Sequence, residues 1–135
     1  MNSQIKIHIH NQEDKGFFEL MGRFFASFQV RQAIGSPLSS DETYTWAVAT
    51  SGKAVLGFAS IKPLKNGAAT FEAVYTTEGN ELKGQLVQSI IEHARNHGIK
   101  SLKIIAKIEN ADFYRALGFV SGRLQGQFIT LEIKL

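Results

Sequence analysis

At 135 residues, with 44% hydrophobic content and ten Phe, the chain has the size and bulk of one domain with a proper core. Its formal net charge of +3 comes without a basic cluster, so it argues weakly for an anionic partner and not for nucleic acid. The absence of cysteine excludes a disulfide framework, a thiol nucleophile and a thiolate metal site, and no apolar run reaches membrane-spanning length.

Met1-Asn2-Ser3-Gln4 runs straight into a strand pattern, without the charged and apolar regions of a signal peptide, so a soluble, cytoplasmic protein is expected. No internal repeat, low-complexity tract or linker interrupts residues 1–135, which read as a single domain. Ile5, Ile7 and Ile9 alternate with Lys6, His8 and His10, the mark of a half-buried strand. His8 and His10 share a face and could be two metal ligands. With no third ligand nearby they read instead as a solvated face, and no metal site is expected.

Asn11 can cap the next helix, with Asp14 in the capping-box position and Glu13 near the positive end of the dipole. Phe17, Phe18, Met21, Phe24, Phe25 and Phe28 form an aromatic stripe that reads as core rather than as a binding groove, and Gly22 marks a point where the helix could break in two. The pattern ends at Gly35-Ser36-Pro37, and Ser36–Glu42 reads as a polar loop. Thr43–Thr50 is strand-like, Ser51-Gly52-Lys53 is a tight turn and Ala54–Pro63 is the returning strand. A second turn at Lys65-Asn66-Gly67 leads into Ala68–Tyr75, giving three antiparallel strands in a row.

The loop Thr76–Glu81 precedes a helix predicted over Leu82–Asn96, with Leu86, Val87, Ile90, Ile91 and Ala94 on one face. It stops at Asn96-His97-Gly98, where glycine can take the left-handed conformation. The strand Ser101–Lys107 follows, apolar enough at Leu102, Ile104, Ile105 and Ala106 to be covered on both faces. Strand, loop, helix and strand make a βαβ crossover with parallel strands, whose helix N-terminus is a ready-made phosphate site. Beyond it, Asn110 can cap a short helix over Ala111–Leu117, ended by Gly118. Phe119-Val120, a turn at Ser121-Gly122 and the strand Phe128–Leu135 finish the chain. In that strand Ile129, Leu131, Ile133 and Leu135 share a face, and near a sheet edge it could pair with a second copy to make a homodimer. The fold class is α/β (α+β): a mixed central sheet of about six to seven strands with helices on both faces.

This order, with two local stretches, resembles the GNAT superfamily of acyl-CoA N-acyltransferases. Phe113-Tyr114-Arg115-Ala116-Leu117-Gly118-Phe119 is similar to the family's closing signature: an aromatic pair, a short helix, then Leu-Gly-Phe. Leu82-Lys83-Gly84-Gln85-Leu86-Val87 sits where the family carries its pyrophosphate-binding segment, an Arg or Gln followed three residues later by Gly, any residue, then Gly or Ala. Only Gly84 of that stretch is a glycine. Aligned on the apolar helix face, Gln85 and Val87 take the two small positions and Leu82 the basic one; aligned on Gly84, Glu81 takes the basic position and Leu86 the second small one. Lys83 could compensate as a cation, and the backbone amides of Lys83 to Leu86 are expected to be available for phosphate.

The resemblance implies an N-acetyltransferase that moves an acetyl group from acetyl-CoA to a primary amine, with a catalytically impaired binding or regulatory module as the alternative. It implies that Val74, Tyr75 and Thr76 expose backbone groups to the pantetheine arm, with the N–H of Val74 or Tyr75 polarising the thioester carbonyl. Leu82 to Val87, Phe113 and Asn110 would complete the coenzyme side, although Asn110 reads first as a helix cap. Tyr114 takes the place of the general acid that protonates the departing thiolate. Glu72, within the otherwise apolar run Phe71–Tyr75, is the candidate base, its carboxyl expected to be buried and so tuned upward. Asp41, Glu42 and Tyr44 border the acceptor side, and Lys100, Lys103 and Lys107 form a modest basic ridge. No phosphate-loop, dinucleotide, paired-His or Gly-x-Ser-x-Gly motif is present.

Overall fold

Two hydrophobic layers, one on each side of a sheet, organise the computed structural model, which describes residues 4–35 and 38–135. The expectations placed on Met1-Asn2-Ser3 and on Ser36 and Pro37 lie outside the described residues. The strands are β1 (Lys6–His10), β2 (Thr45–Ser51), β3 (Ala54–Pro63), β4 (Ala68–Thr76), β5 (Ser101–Lys107), β6 (Val120–Gln125) and β7 (Phe128–Lys134). The helices are α1 (Phe17–Phe25), α2 (Phe28–Ile34), α3 (Asn80–Asn96) and α4 (Ala111–Ala116). The seven strands lie in the order β1-β2-β3-β4-β5-β7-β6, and only β4 and β5 are parallel.

Alternation in the central strands feeds both layers. Ala47, Ala49, Ala59 and Phe71 meet Leu82, Leu86, Val87, Ile90 and Ile91 of α3 on one face; Trp46, Val48, Phe58 and Ala73 meet Phe17, Met21 and Val30 of α1 and α2 on the other. The small Ala residues let α3 lie close to the sheet, while the bulky side chains fill the layer under the shorter helices. That second layer stops at β4. The same face of β5 is therefore open, and Ile105 is exposed rather than covered as expected.

Several local expectations shift. The box at Asn11 forms, with the Asn11 N–H donating to the Asp14 carboxylate at 3.0 Å, but it closes a turn; α1 begins only at Phe17, behind the left-handed Gly16. The break between helices falls at Ala26-Ser27, where the Ser27 hydroxyl accepts the Val30 N–H at 3.2 Å, and not at Gly22. Phe18 and Phe28 of the aromatic stripe are exposed. Ser121-Gly122 is a bulge inside β6 rather than a turn, because Gln125 pairs with Phe128 and leaves Gly126 and Gln127 as the hairpin loop.

Two departures from regularity shape the middle of the sheet. Ser60 pairs with Ala73 and Ile61 with Phe71, so Glu72 is the extra residue of a bulge in β4. The β4–β5 ladder runs only from Ala68–Ser101 to Thr70–Lys103, after which the strands part. The end of β4 is held from the other side. Thr76 donates its hydroxyl to the Leu56 carbonyl at 2.7 Å and accepts the Glu78 N–H at 3.0 Å. At Gly57, opposite Thr76, a Cβ would stand 2.7 Å from the Thr76 Cβ and 2.8 Å from the Tyr75 carbonyl oxygen. Gly57→Ala is therefore expected to destabilise the fold by about 1–3 kcal/mol as backbone is forced apart. Urea unfolding checks this, and an unchanged midpoint would show that the strand pair yields freely.

Candidate active site

Where β4 and β5 part, their backbones face a cleft of about 90 Å³ lined by Glu72, Val74, Lys83, Ala106, Asn110 and Tyr114 among others. A shallower groove continues along Val74, Thr76, Gly79, Asn80 and Lys83, so Val74 and Lys83 border both spaces. Val74 and Tyr75 pair with Ala59 and Phe58 of β3, and the strand's other edge has no β5 partner at this level. Unsatisfied backbone groups at such an edge are a natural seat for an amide-bearing ligand.

Tyr114 reaches the cleft from α4. The short helix ends where the Phe119 N–H donates to the Tyr114 carbonyl at 3.1 Å, with Gly118 in the left-handed region (φ 105). The Tyr114 ring meets Phe113 edge-on at 5.0 Å and Phe119 at 5.7 Å, and the residue is only 4% exposed. Burial pushes its phenol well above the ordinary tyrosine range, so it stays protonated. Asn110 does not cap α4. A 3₁₀ turn over Ile108–Asn110 already places it in helical geometry (φ −98, ψ −2), with no side-chain capping bond, and it lines the cleft instead.

Glu72 also lines the cleft, but it is exposed, and the burial expected to tune it is absent. The bulge turns it away from the alternation of β4. It accepts a hydrogen bond from the Tyr44 hydroxyl at 3.2 Å, and the Ser39 hydroxyl lies 3.3 Å from the same phenol oxygen. Of the three acceptor-side residues only Tyr44 reaches the cleft in this way. Asp41 is held by the Thr43 hydroxyl and amide, which keep its carboxyl below the ordinary range, and Glu42 is exposed. The Tyr44–Glu72 contact spans 28 residues and leaves no local signal in the sequence.

The helix mouth requires the largest correction. Helix α3 starts at Asn80, after Gly79 at φ 100, and the Lys83 N–H donates to the Gly79 carbonyl at 3.2 Å. The amides of Lys83 to Leu86 are thus spent inside the helix, and those of Asn80, Glu81 and Leu82 are the ones without an intrahelical partner. The side chains of Leu82, Leu86 and Val87 are core, and Gln85 is exposed. A Cβ at Gly84 would meet only the Phe113 ring at 4.0 Å, so close approach does not demand glycine there. Lys83 alone of the six presents its side chain to the opening. Its Nζ lies 4.6 Å from the Phe113 ring centre and 5.4 Å from that of Tyr114, and burial depresses its pKa.

Among the described residues no group of three or more His, Cys, Asp or Glu could hold a metal ion, and His10 turns to Asp14 at 3.3 Å. No described helix is long and apolar enough to cross a membrane.

The sequence model of the Acetyltransferase (GNAT) family matches residues 7–119. No curated protein gives a match. An acyl-CoA N-acyltransferase from Pseudomonas aeruginosa shares the fold with a TM-score of 0.74 at 16% identity, over 96% of this chain and 99% of that one. A GNAT family acetyltransferase from Elizabethkingia anophelis with acetyl-CoA bound gives 0.69 at 15% identity, over 99% and 100% of the two chains. A Bacillus subtilis acetyltransferase in complex with CoA gives 0.69 at 14% identity, over 98% and 99%. At these identities the structural likenesses speak for the fold alone. The sequence match, covering both the parted strands and the Tyr114 helix, carries the assignment further: the chain belongs to the Acetyltransferase (GNAT) family.

Proposed function

We propose that the chain is an acyl-CoA-dependent N-acyltransferase that moves an acetyl group from acetyl-CoA to a primary amine. The observation that carries this reading is the buried Tyr114 phenol on the same cleft as the unpaired edge of β4. The pantetheine arm adds along that edge. A backbone N–H at Val74 or Tyr75 polarises the thioester carbonyl, and the diphosphate rests on the amides of Asn80 to Leu82. Glu72, steadied by Tyr44, takes the proton of the attacking amine, and Tyr114 protonates the departing thiolate. The relatives from E. anophelis and B. subtilis, solved with acetyl-CoA and CoA, support this use of the fold.

One observation favours a second reading, a binding module with impaired catalysis. Glu78 stands just before the free amides of α3 and Glu81 among them, where carboxylates stabilise the helix dipole and oppose a diphosphate. Thermal unfolding in the presence of acetyl-CoA decides between them. A ligand bound only to the folded state at a hundredfold excess over Kd adds about 2.7 kcal/mol, a rise of several degrees in Tm. A saturating rise is expected. No rise at millimolar coenzyme would overturn acyl transfer and leave the module.

A further inference from the structure

Lys83 is placed unlike an ordinary surface lysine. It sits in the first turn of α3, yet its side chain bends over two aromatic rings into the cleft, bordering both that cleft and the adjoining groove. No carboxylate among the described residues forms an ion pair with it; the ion pairs there are His10–Asp14 and Arg115–Asp112. The ring faces attract its ammonium, but burial without a counter-charge favours the neutral amine, whose nitrogen lone pair is a nucleophile. Around it stand the other groups that N-acylation needs: the unpaired edge at Val74, the Glu72 carboxylate and the Tyr114 phenol. The cleft supplies its own amine.

We propose that Lys83 is a self-acylation site, modified by the acyl-CoA thioester bound in the same cleft. The inference rests on the acyl-CoA reading above. The Nζ lone pair attacks the thioester carbonyl carbon, the N–C bond forms and the C–S bond breaks. The proton lost from nitrogen passes to Glu72, the thiolate takes a proton from Tyr114, and solvent returns the proton from Glu72 to Tyr114. The products are an amide at Lys83 and free CoA thiol. Acylation leaves a bulkier group that can no longer be protonated against the Phe113 and Tyr114 rings, at the junction of cleft and groove. Each chain carries one Lys83 amine, which makes the reaction self-limiting.

The test incubates the full chain with acetyl-CoA, follows intact mass, and maps the acetylated peptides over time. Exposed Lys100 and Lys103 serve as internal references for uncatalysed acetylation. Lys83 is expected to be labelled about tenfold faster or more, approaching one acetyl group per chain, because the amine and thioester are held together. Tyr114→Phe should slow Lys83 labelling without changing the two references, and Lys83→Arg should abolish the fast label alone. Labelling of Lys83 no faster than Lys100 or Lys103 would overturn the proposal. If acetyl-CoA raises Tm and an added amine is acetylated while Lys83 stays free, self-acylation falls and the N-acyltransferase reading stands. If Tm does not rise, both fall.

Discussion

Tyr114→Phe is expected to lower turnover about a hundredfold while leaving acetyl-CoA affinity nearly unchanged. Phenylalanine keeps the edge-on contacts with Phe113 and Phe119 that seat α4, so the cleft keeps its shape and only the hydroxyl is lost. A free phenol has a pKa of about 10 and a thiol about 8.5, and burial raises the Tyr114 phenol further, so full proton transfer to a solvated thiolate would run uphill. In the proposed reaction, however, the thiolate would form beside the buried Tyr114 ring, where partial desolvation would raise its proton affinity too. The hydrogen bond strengthens as sulfur gains charge, so its loss falls on kcat rather than on coenzyme binding. Steady-state rates with an amine acceptor, set beside the coenzyme-induced rise in Tm, separate the two effects. Equal turnover in both proteins would make Tyr114 a packing residue.

The parts of the fold legible in the sequence are those set by short-range pattern. The β2–β3–β4 meander follows from alternation punctuated by Gly52 and Asn66-Gly67, and the end of α3 follows from Gly98, which takes φ 78 as its position requires. The start of α3 was not legible to the residue, and the site depends on it. Asn80 and Glu81 are poor or ordinary helix formers and read as loop, yet the Thr76 anchor and the left-handed Gly79 turn the chain early enough to make them the first helical residues. The helix opens at Asn80 rather than Leu82, the amides left without an intrahelical partner are those of Asn80–Leu82 rather than Lys83–Leu86, and Glu81 stands at the mouth. The bulge at Glu72 had a visible trace. Ala73, Val74 and Tyr75 are consecutive apolar residues where strict alternation would place a polar one. Its meaning depends on register with Ser60 and Ile61, which only pairing reveals. The capping signals at Asn11 and Asn110 were genuine in composition but decided by backbone: one closes a turn before the helix, the other is already helical.

Trp46→Ala is expected to cost about 3–5 kcal/mol, a large share of the roughly 5–15 kcal/mol that holds a domain folded. The indole is fully buried between sheet and helices. Its ring lies 5.5 Å from Phe17, 5.8 Å from Phe25 and 5.8 Å from Phe58, so one side chain ties α1 to β2 and β3. Its Nε1–H donates to the Ser40 hydroxyl at 3.0 Å, joining the Ser39–Asp41 segment to the same core. Alanine leaves a cavity that aromatic neighbours cannot close without moving, whereas Trp46→Phe keeps most of the volume and removes chiefly the bond to Ser40. The phenylalanine variant should therefore lose clearly less stability. Because Trp46 is the single tryptophan, urea unfolding is followed by circular dichroism rather than by its fluorescence. The effect should also reach the chemistry. Tyr44 stacks on Trp46 with ring centres 6.5 Å apart and donates to Glu72, so loosening the indole loosens a side chain that steadies the proposed base. Turnover measured well below the unfolding midpoint should fall in the alanine variant beyond its unfolded fraction. If it falls only in proportion to unfolding, the aromatic layer supports the fold without setting the position of Glu72.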